Sequence, residues 1–424
     1  MKKKLSSLGL YLLLSICLLF SLPAAGYADS ATKLVAQSGN GTLYDMNGVR
    51  LLVLSGTFNE MGRQYGALLG KDIARLYDLA IDRAFIKSGM FTQEELDNFA
   101  ANSFKTMPVR QKELIRGMAA TSGLSKEKTI LASDLVMVQI LARKKFGGNT
   151  AACTSVAAWG KHTTDGKVVT ARNFDFPNLF RSMLKDFGTV VVFNPTDGSN
   201  SVAGLGLTGS IYFVDAINSK GIYTEVNNAA DSAGLVMFSG RTQTGSQLIN
   251  LLFDADDAQE LYTIANSTRF GYSAILMVAD QNTASFCELS CWDSRKREAA
   301  NNDNVIAAAN QFDDPAWGLL SLPSPAAWYS AYRESALLKM VTSTPARSVN
   351  PQSMMSILNV PFYNSDGSIG KGVSVIDKNP KDDEVTVWQV ITQPESLKLW
   401  FRYPALNNWQ LVDLNKFFNK TAQK

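Results

Sequence analysis

The segment Thr150–Phe176, TAACTSVAAWGKHTTDGKVVTARNFDF, sets one cysteine, Cys153, at the head of a strand–turn–strand pattern. Thr154–Trp159 and Val168–Asn173 read as the strands, and Asp165-Gly166 marks the turn between them. That turn opposes residues whose numbers sum to about 331, so Cys153 faces roughly position 178, with a few residues of slack. The end of the second strand, Arg172-Asn173-Phe174-Asp175, therefore returns close to Cys153. A guanidinium lowers a thiol's pKa, and the thiolate is the nucleophile. On residue types alone, such a cluster is more often structural than reactive.

Upstream, Lys2, Lys3 and Lys4 precede an apolar run from about Leu8 to Leu22, and Pro23, Ala24, Ala25, Gly26 and Ala28 follow. A basic start, a short apolar middle and a small-residue exit describe a secretory signal peptide over residues 1–28, cleaved near Ala28. The run is short for a membrane span, and no later segment is apolar enough to be one. The expectation is an exported chain, secreted or periplasmic, with no stable membrane anchor.

Removing three lysines and no acids takes the formal charge from +3 to about zero. No stripe of Lys and Arg remains to bind phosphates, so nucleic acid is not an expected partner. Three cysteines stay in the exported chain, Cys153, Cys287 and Cys291. The latter two lie four residues apart in FCELSCW, roughly 13 Å along a strand, too far for a disulfide. They read as buried reduced thiols, and they are too few for a zinc site. Neither metal nor cofactor is expected.

The chain has one histidine, His162, in the turn KHTTDG. A Ser-His-Asp triad or an HExxH metal site has no histidine to use. The lone imidazole reads as a solvated turn residue, so an enzyme here would take its base from elsewhere.

The first third reads as mostly helical after a hairpin with an Asn47-Gly48 turn within Thr42–Ser55. A helix from about Asn59 to Phe85 repeats Gly62, Gly66 and Gly70 on one face, which suggests close approach of another backbone. Thr92 with Glu95 forms a capping box, Pro108 opens the next helix, and Ser125 starts a long helix that continues to Lys145. Beyond Cys153, strands are expected at Thr189–Phe193, Ser201–Leu205, Ile211–Ala216, Ile222–Val226, Ala274–Ala279, Ser285–Cys291, Val305–Ala309, Val373–Ile376, Glu384–Thr392, Leu397–Tyr403 and Trp409–Val412. Helices are expected between Gln243 and Asn266, over Ala326–Val341 and over Pro351–Leu358. Runs of strands, then helices, then strands point to an α+β fold with layered sheets.

The residues CTSVAAWGKHTTDGKVVTARNFDF resemble the nucleophile segment of N-terminal-nucleophile (Ntn) hydrolases, most nearly the autoproteolytic acyltransferase/hydrolase group that includes penicillin acyltransferases. Choloylglycine hydrolases, penicillin V acylases and acid ceramidases are broader relatives. GTFNEMGRQYGALLGKDI also resembles the first helix of that group's pro-segment. The resemblance implies a four-layer αββα sandwich of antiparallel sheets over 153–424, preceded by a mostly helical pro-segment over 29–152. It implies a cut between Ala152 and Cys153, two fragments that stay associated, and a small N-acyl amide substrate cleaved through a thioester. The new α-amino group would be the base, with an unperturbed pKa near 8.

By the same resemblance Arg172 is the arginine beside the nucleophile and Asp175 holds the new amine. Asn227, or else Asn228, helps bind the oxyanion, Asn310 in AAANQFDDP is an oxyanion donor, and Arg333 in SAYRESALL is the late arginine. Two other readings stand beside it. One is a non-catalytic exported relative that keeps the fold for binding. The other is a papain-like peptidase pairing Cys153 with His162, which the short spacing disfavours.

Overall fold

A computed structural model describes residues 30–146, 152–229, 241, 244–271, 273–318, 330–359, 384–404 and 408–419. The signal-peptide segment and the expected strand Val373–Ile376 lie outside the described residues.

The chain opens with three strands, β1 (Lys33–Ser38), β2 (Gly41–Met46) and β3 (Val49–Gly56). Asn47 and Gly48, with φ of 51° and 86°, turn β2 into β3 as a left-handed two-residue hairpin turn requires. Thr57 and Glu60 then form a reciprocal capping box that starts α1 (Phe58–Tyr77), and wider π-type turns extend it over Asp78–Ile86. Next come α2 (Gln93–Thr106), capped by Thr92 and Glu95, and α3 (Val109–Ser122), with Pro108 one position earlier than expected, at the cap. The glycine face of α1 is where α3 lies: a Cβ built on Gly62 would sit 2.2 Å from the Leu114 carbonyl oxygen, and one on Gly66 2.5 Å from that of Met118. The single helix expected from Ser125 is two, α4 (Lys126–Ser133) and α5 (Leu135–Phe146). Asp134 breaks it at φ −134° and ψ 49°, where its carboxylate accepts from the Met137 amide as a cap for α5.

The remaining elements are β4 (Ala152–Ala158), β5 (Val169–Pro177), α6 (Asn178–Phe187), β6 (Gly188–Pro195), β7 (Val202–Leu207), β8 (Asp215–Asn218), β9 (Tyr223–Asn228), α7 (Thr244–Asp254) and α8 (Ala258–Ser267). Then follow β10 (Ala274–Ala279), β11 (Ala284–Leu289), β12 (Ser294–Arg297), β13 (Val305–Ala308), α9 (Ser330–Ser343), α10 (Pro351–Ile357), β14 (Glu384–Gln393), β15 (Lys398–Arg402) and β16 (Gln410–Asp413). The expected strand at Ile211–Ala216 is displaced to β8, and β1, α6 and β12 appear where no element was expected.

These strands make two sheets. One runs β1-β2-β3-β6-β7-β8-β9-β10-β11-β12, the other β13-β4-β5-β14-β15-β16. Among the described residues these strands pair antiparallel except for β3 with β6, and an isolated bridge between Thr163 and Val349 is also parallel. The α+β class and the layered sheets are therefore as expected. The division of labour between first third and remainder is not: β1–β3 continue the sheet of the later strands. Alternation along β4 and β5 fixes which way each residue faces. Cys153, Ala157, Phe174 and Phe176 join the core shared with the ten-stranded sheet, whereas Val156, Ala158, Val169 and Ala171 join a second core with Leu337 of α9 and Met354 of α10. With α1, α7 and α8 packed on the ten-stranded sheet, the layers run helix, sheet, sheet, helix.

Candidate active site

The β4–β5 register brings the chemistry together. Cys153 pairs with Phe174, Ala152 with Asp175 and Ser155 with Arg172, four residues tighter than a hairpin centred on Asp165-Gly166. The slack is an irregular loop over residues 159–168, in which Gly160 N–H donates to Gly166 O. Cys153, Ser155 and Arg172 share the face toward the ten-stranded sheet, where all three are buried.

Arg172 is fully buried, and both terminal nitrogens of its guanidinium are held, while Nε has no hydrogen-bond partner. Nη2 donates to Cys153 Sγ at 3.2 Å and to the Val226 carbonyl; Nη1 donates to the Val214 carbonyl at 2.7 Å and pairs with Asp215 Oδ1 at 2.8 Å. Burial works against this charge, but the ion pair with Asp215 more than offsets it, so the guanidinium stays charged. Asp215 in turn accepts from Trp388 Nε1 at 2.8 Å. Tyr223 Oη lies 3.1 Å from both Asp215 Oδ1 and Glu225 Oε2. One phenol hydrogen serves only one of them. Burial pushes Glu225 up to about 8, with Arg172 opposing, so at neutral pH Glu225 carries its own proton.

On the other side of the cysteine, Arg333 is also fully buried. Its Nη1 donates to the Cys153 carbonyl and to Thr154 Oγ1, each at 2.6 Å, and Nη2 donates to Asn310 Oδ1 at 2.7 Å. Asn310 Oδ1 also accepts the Cys153 backbone N–H at 2.9 Å. Asn310 is fixed by its own N–H donating to Ser330 Oγ at 2.6 Å and by Nδ2 donating to the Asn228 carbonyl at 2.8 Å. Asp175 accepts from Thr386 Oγ1 at 2.7 Å, and its second carboxylate oxygen has no partner in the structure. Burial pushes this carboxyl up to about 6, with Arg333, Thr386 and Arg172 pulling the other way.

The thiol itself is pushed up to about 11, by burial first, with Arg172 opposing and Asp175 adding to the rise. In the uncut chain it is therefore protonated at neutral pH.

All seven expected residues lie at or beside this cluster, though not all as expected. Cys153, Arg172, Asn310 and Arg333 contact one another, and Asp175 sits opposite Ala152. Asn227 is engaged with Ser155, Nδ2 donating to Oγ at 2.9 Å, while Asn228 meets the cluster through its carbonyl. Asn310 turns its oxygen, not its nitrogen, toward the Cys153 amide. Arg333, which by pattern alone reads as an exposed helix arginine, is completely covered.

His162 is in a turn but is not solvated: it is buried, with Nε2 2.8 Å from the Asp303 carbonyl oxygen. It lies past the far end of β4, roughly 20 Å of strand from Cys153, which removes the Cys–His pairing. Cys287 and Cys291 are buried, and neither forms a disulfide among the described residues.

The residues that sequence reasoning missed are Asp215, Ser155, Ser330 and Thr386. Asp215 had a signal: it is an acid inside the apolar run IYFVDAI, and a buried carboxylate needs a cation such as Arg172. The others are small hydroxyl residues with no local mark.

Two comparisons are empty: no family model and no curated protein matches the chain. Among solved structures, a mutant conjugated bile acid hydrolase from Clostridium perfringens is 14% identical at a TM-score of 0.40, over 62% of this chain and 93% of that one. The N-acylethanolamine-hydrolyzing acid amidase ortholog of Caenorhabditis elegans gives 13% and 0.39, over 57% and 93%. Penicillin V acylase from Agrobacterium tumefaciens gives 15% and 0.41, over 63% and 89%. No helix among the described residues is long and apolar enough to cross a membrane.

Proposed function

We propose that the chain is an exported Ntn-type cysteine hydrolase that cleaves a linear amide C–N bond through a thioester on Cys153. The observation that carries this reading is the double hold on one residue: Arg172 on the Cys153 thiol at 3.2 Å, and Asn310 Oδ1 on its backbone nitrogen at 2.9 Å. A structural cysteine needs neither. A nucleophile whose own amine is the base needs both.

In activation, Cys153 Sγ attacks the Ala152 carbonyl carbon, the C–N bond to Cys153 breaks, and the nitrogen takes the thiol proton. Water hydrolyses the resulting thioester, leaving a carboxylate on Ala152 and a free amine on Cys153. That amine stays against Asn310 Oδ1, with the Asp175 carboxylate opposite the position of Ala152. It takes the thiol proton when Sγ attacks a substrate amide and returns it to the leaving amine. Water then releases the acyl group. The charge that develops on the carbonyl oxygen would be met by the second amide hydrogen of Asn227, whose Nδ2 also donates to Ser155 Oγ, while Asn310 keeps its Oδ1 on the Cys153 nitrogen. One such donor is worth about 10²–10³ in rate. Residues 29–152 become one fragment and 153–424 the other. The parallel β3–β6 pairing and the packing of α1 on the shared sheet support their staying together.

Intact mass of the purified protein tests this. Two fragments are expected, the larger beginning at Cys153, and Cys153→Ala should remain a single chain. A wild-type chain that stays whole under conditions where it is folded would sink the proposal. His162→Ala should be cut like wild type, since His162 has no part in the cluster.

A further inference from the structure

A cavity of about 70 Å³ lies beside the Arg172 cradle. Val214 and Val226, whose carbonyls hold the Arg172 guanidinium, form part of its wall, as does Trp388, which stacks on Phe174. Most of the remaining lining is apolar, with Met137 and Ile140 of α5 and with Phe180 and Phe213. Its volume is roughly half that of an engineered apolar cavity that takes up benzene. This is room for a chain of a few carbon atoms against Val214 and Val226, the two residues whose carbonyls hold the arginine that contacts the thiol.

Ser133, Asp134, Ser210 and Tyr212 interrupt these walls with polar side chains, and two of them stand out. Asp134 is buried at 6% exposure, and the hydrogen bond its carboxylate accepts from the Met137 amide is long at 3.4 Å. Tyr212 is buried at 9% exposure, and its hydroxyl makes no well-formed hydrogen bond, the Ser246 side chain being a polar neighbour. The two are close enough that the Asp134 charge bears on the Tyr212 phenol. Buried polar groups are normally paired, and an orphan hydroxyl next to an under-used carboxyl in a cavity is a site for what enters it. The capping role alone does not account for Asp134, since a cap does not place an unpartnered phenol beside it.

We propose that Asp134 and Tyr212 determine acyl specificity, selecting a short acyl group that carries a hydrogen-bond donor over an all-alkyl group of the same size. This rests on the amide-hydrolase reading of Cys153. A hydroxyl on the acyl chain satisfies both groups at once, donating to the Asp134 carboxyl and accepting from the Tyr212 phenol. An ammonium satisfies only Asp134. Asp134 precedes Cys153 in the chain, so the fragment removed from the nucleophile by cutting supplies half of the selection.

The test uses the processed protein with two amides matched in length, one ending in a hydroxyl and one in a methyl, and a third ending in an amine. The ratio of kcat/KM for hydroxyl over methyl should be about tenfold or more, because an alkyl end leaves two buried polar groups unpaired. Tyr212→Phe should collapse that ratio toward one, as should Asp134→Ser, which keeps a capping side chain but no longer reaches the cavity. A ratio near one in wild type, or a ratio unchanged in Tyr212→Phe, overturns the proposal. The amine-ended amide separates a neutral from an ionised Asp134: turnover that rises above the methyl amide with pH supports the donor reading, and turnover below it at every pH counts against it. Binding of the corresponding free acids to Cys153→Ala, followed by calorimetry, reads the same preference without catalysis. If no amide is hydrolysed yet the hydroxy acid binds at least tenfold more tightly, the amide-hydrolase reading fails and the pocket assignment stands.

Discussion

Arg333 of α9 donates to the carbonyl oxygen of Cys153 at 2.6 Å, although 180 residues separate the two. The same fork holds Thr154 Oγ1 and Asn310 Oδ1, so one rigid guanidinium sets the position of the cysteine backbone and of the amide that receives its nitrogen. A lysine at this position has the charge but not the planar fork, and it satisfies these acceptors incompletely. Arg333→Lys should therefore remain folded and cut at Ala152–Cys153 at least tenfold more slowly, followed by mass against time. Arg333→Ala should cut slower still. Wild-type cutting in the lysine variant would show that Asn310 is positioned without the fork.

Asp175 supplies a pH dependence. Its carboxyl is raised from 3.8 to about 6, by burial against the pull of Arg333. The folded chain thus binds this proton more tightly than the unfolded chain does. The associated stability is fully present below about 4 and is lost as pH rises through 6, an effect of about 2–3 kcal/mol. In urea titrations from pH 4 to 7, Asp175→Asn should lack this decline while Glu225, raised in the same sense, continues its own toward pH 8. Identical pH slopes in wild type and variant would mean that Asp175 is not buried as described.

How much of this was legible in the sequence depends on where each contact comes from. The hairpin turn at Asn47-Gly48, the capping box at Thr92 and the close-packing face of Gly62 are local, and local chemistry writes them into neighbouring residues. Cys153 with Arg172 was legible because β4 and β5 are adjacent in sequence. Its register falls four residues from the simple-turn value, within the slack allowed for, because the loop over 159–168 is folded back on itself. The helix break at Asp134 was hidden because the flanking residues are good helix formers on both sides. Asp215 and Thr386 reach the site by pairings with distant strands, and nothing in their own segments specifies those partners.

The α1–α3 interface tolerates no side chain at its narrowest point. A Cβ at Gly62 would lie 2.2 Å from the Leu114 carbonyl oxygen, and one at Gly117 2.2 Å from that of Asn59. Both clashes are with backbone, which no rotamer change relieves. Gly62→Ala and Gly117→Ala should each destabilise the chain by about 1–3 kcal/mol despite alanine's better helix propensity. Chemical denaturation reads this directly, and a stabilised Gly62→Ala would mean that the helices sit further apart.

Arg172 offers the clearest separation of chemistry from structure. Removing it in Arg172→Met leaves Asp215 as a buried carboxylate without its cation, at a cost of about 3–5 kcal/mol. It also removes the charge that opposes the rise of the Cys153 thiol, already pushed up to about 11. Two effects follow, and a second substitution parts them. Adding Asp215→Asn to Arg172→Met removes the stranded charge and keeps an acceptor oxygen for Trp388 Nε1. It turns an NH2 toward Tyr223 Oη, which can accept from it while donating to Glu225. The double variant should regain most of the lost stability in urea titrations. It should still fail to cut before Cys153, and its thiol should alkylate more slowly with iodoacetamide at any pH below the thiol's own value. Recovery of cutting together with stability would reduce Arg172 to a counterion for Asp215.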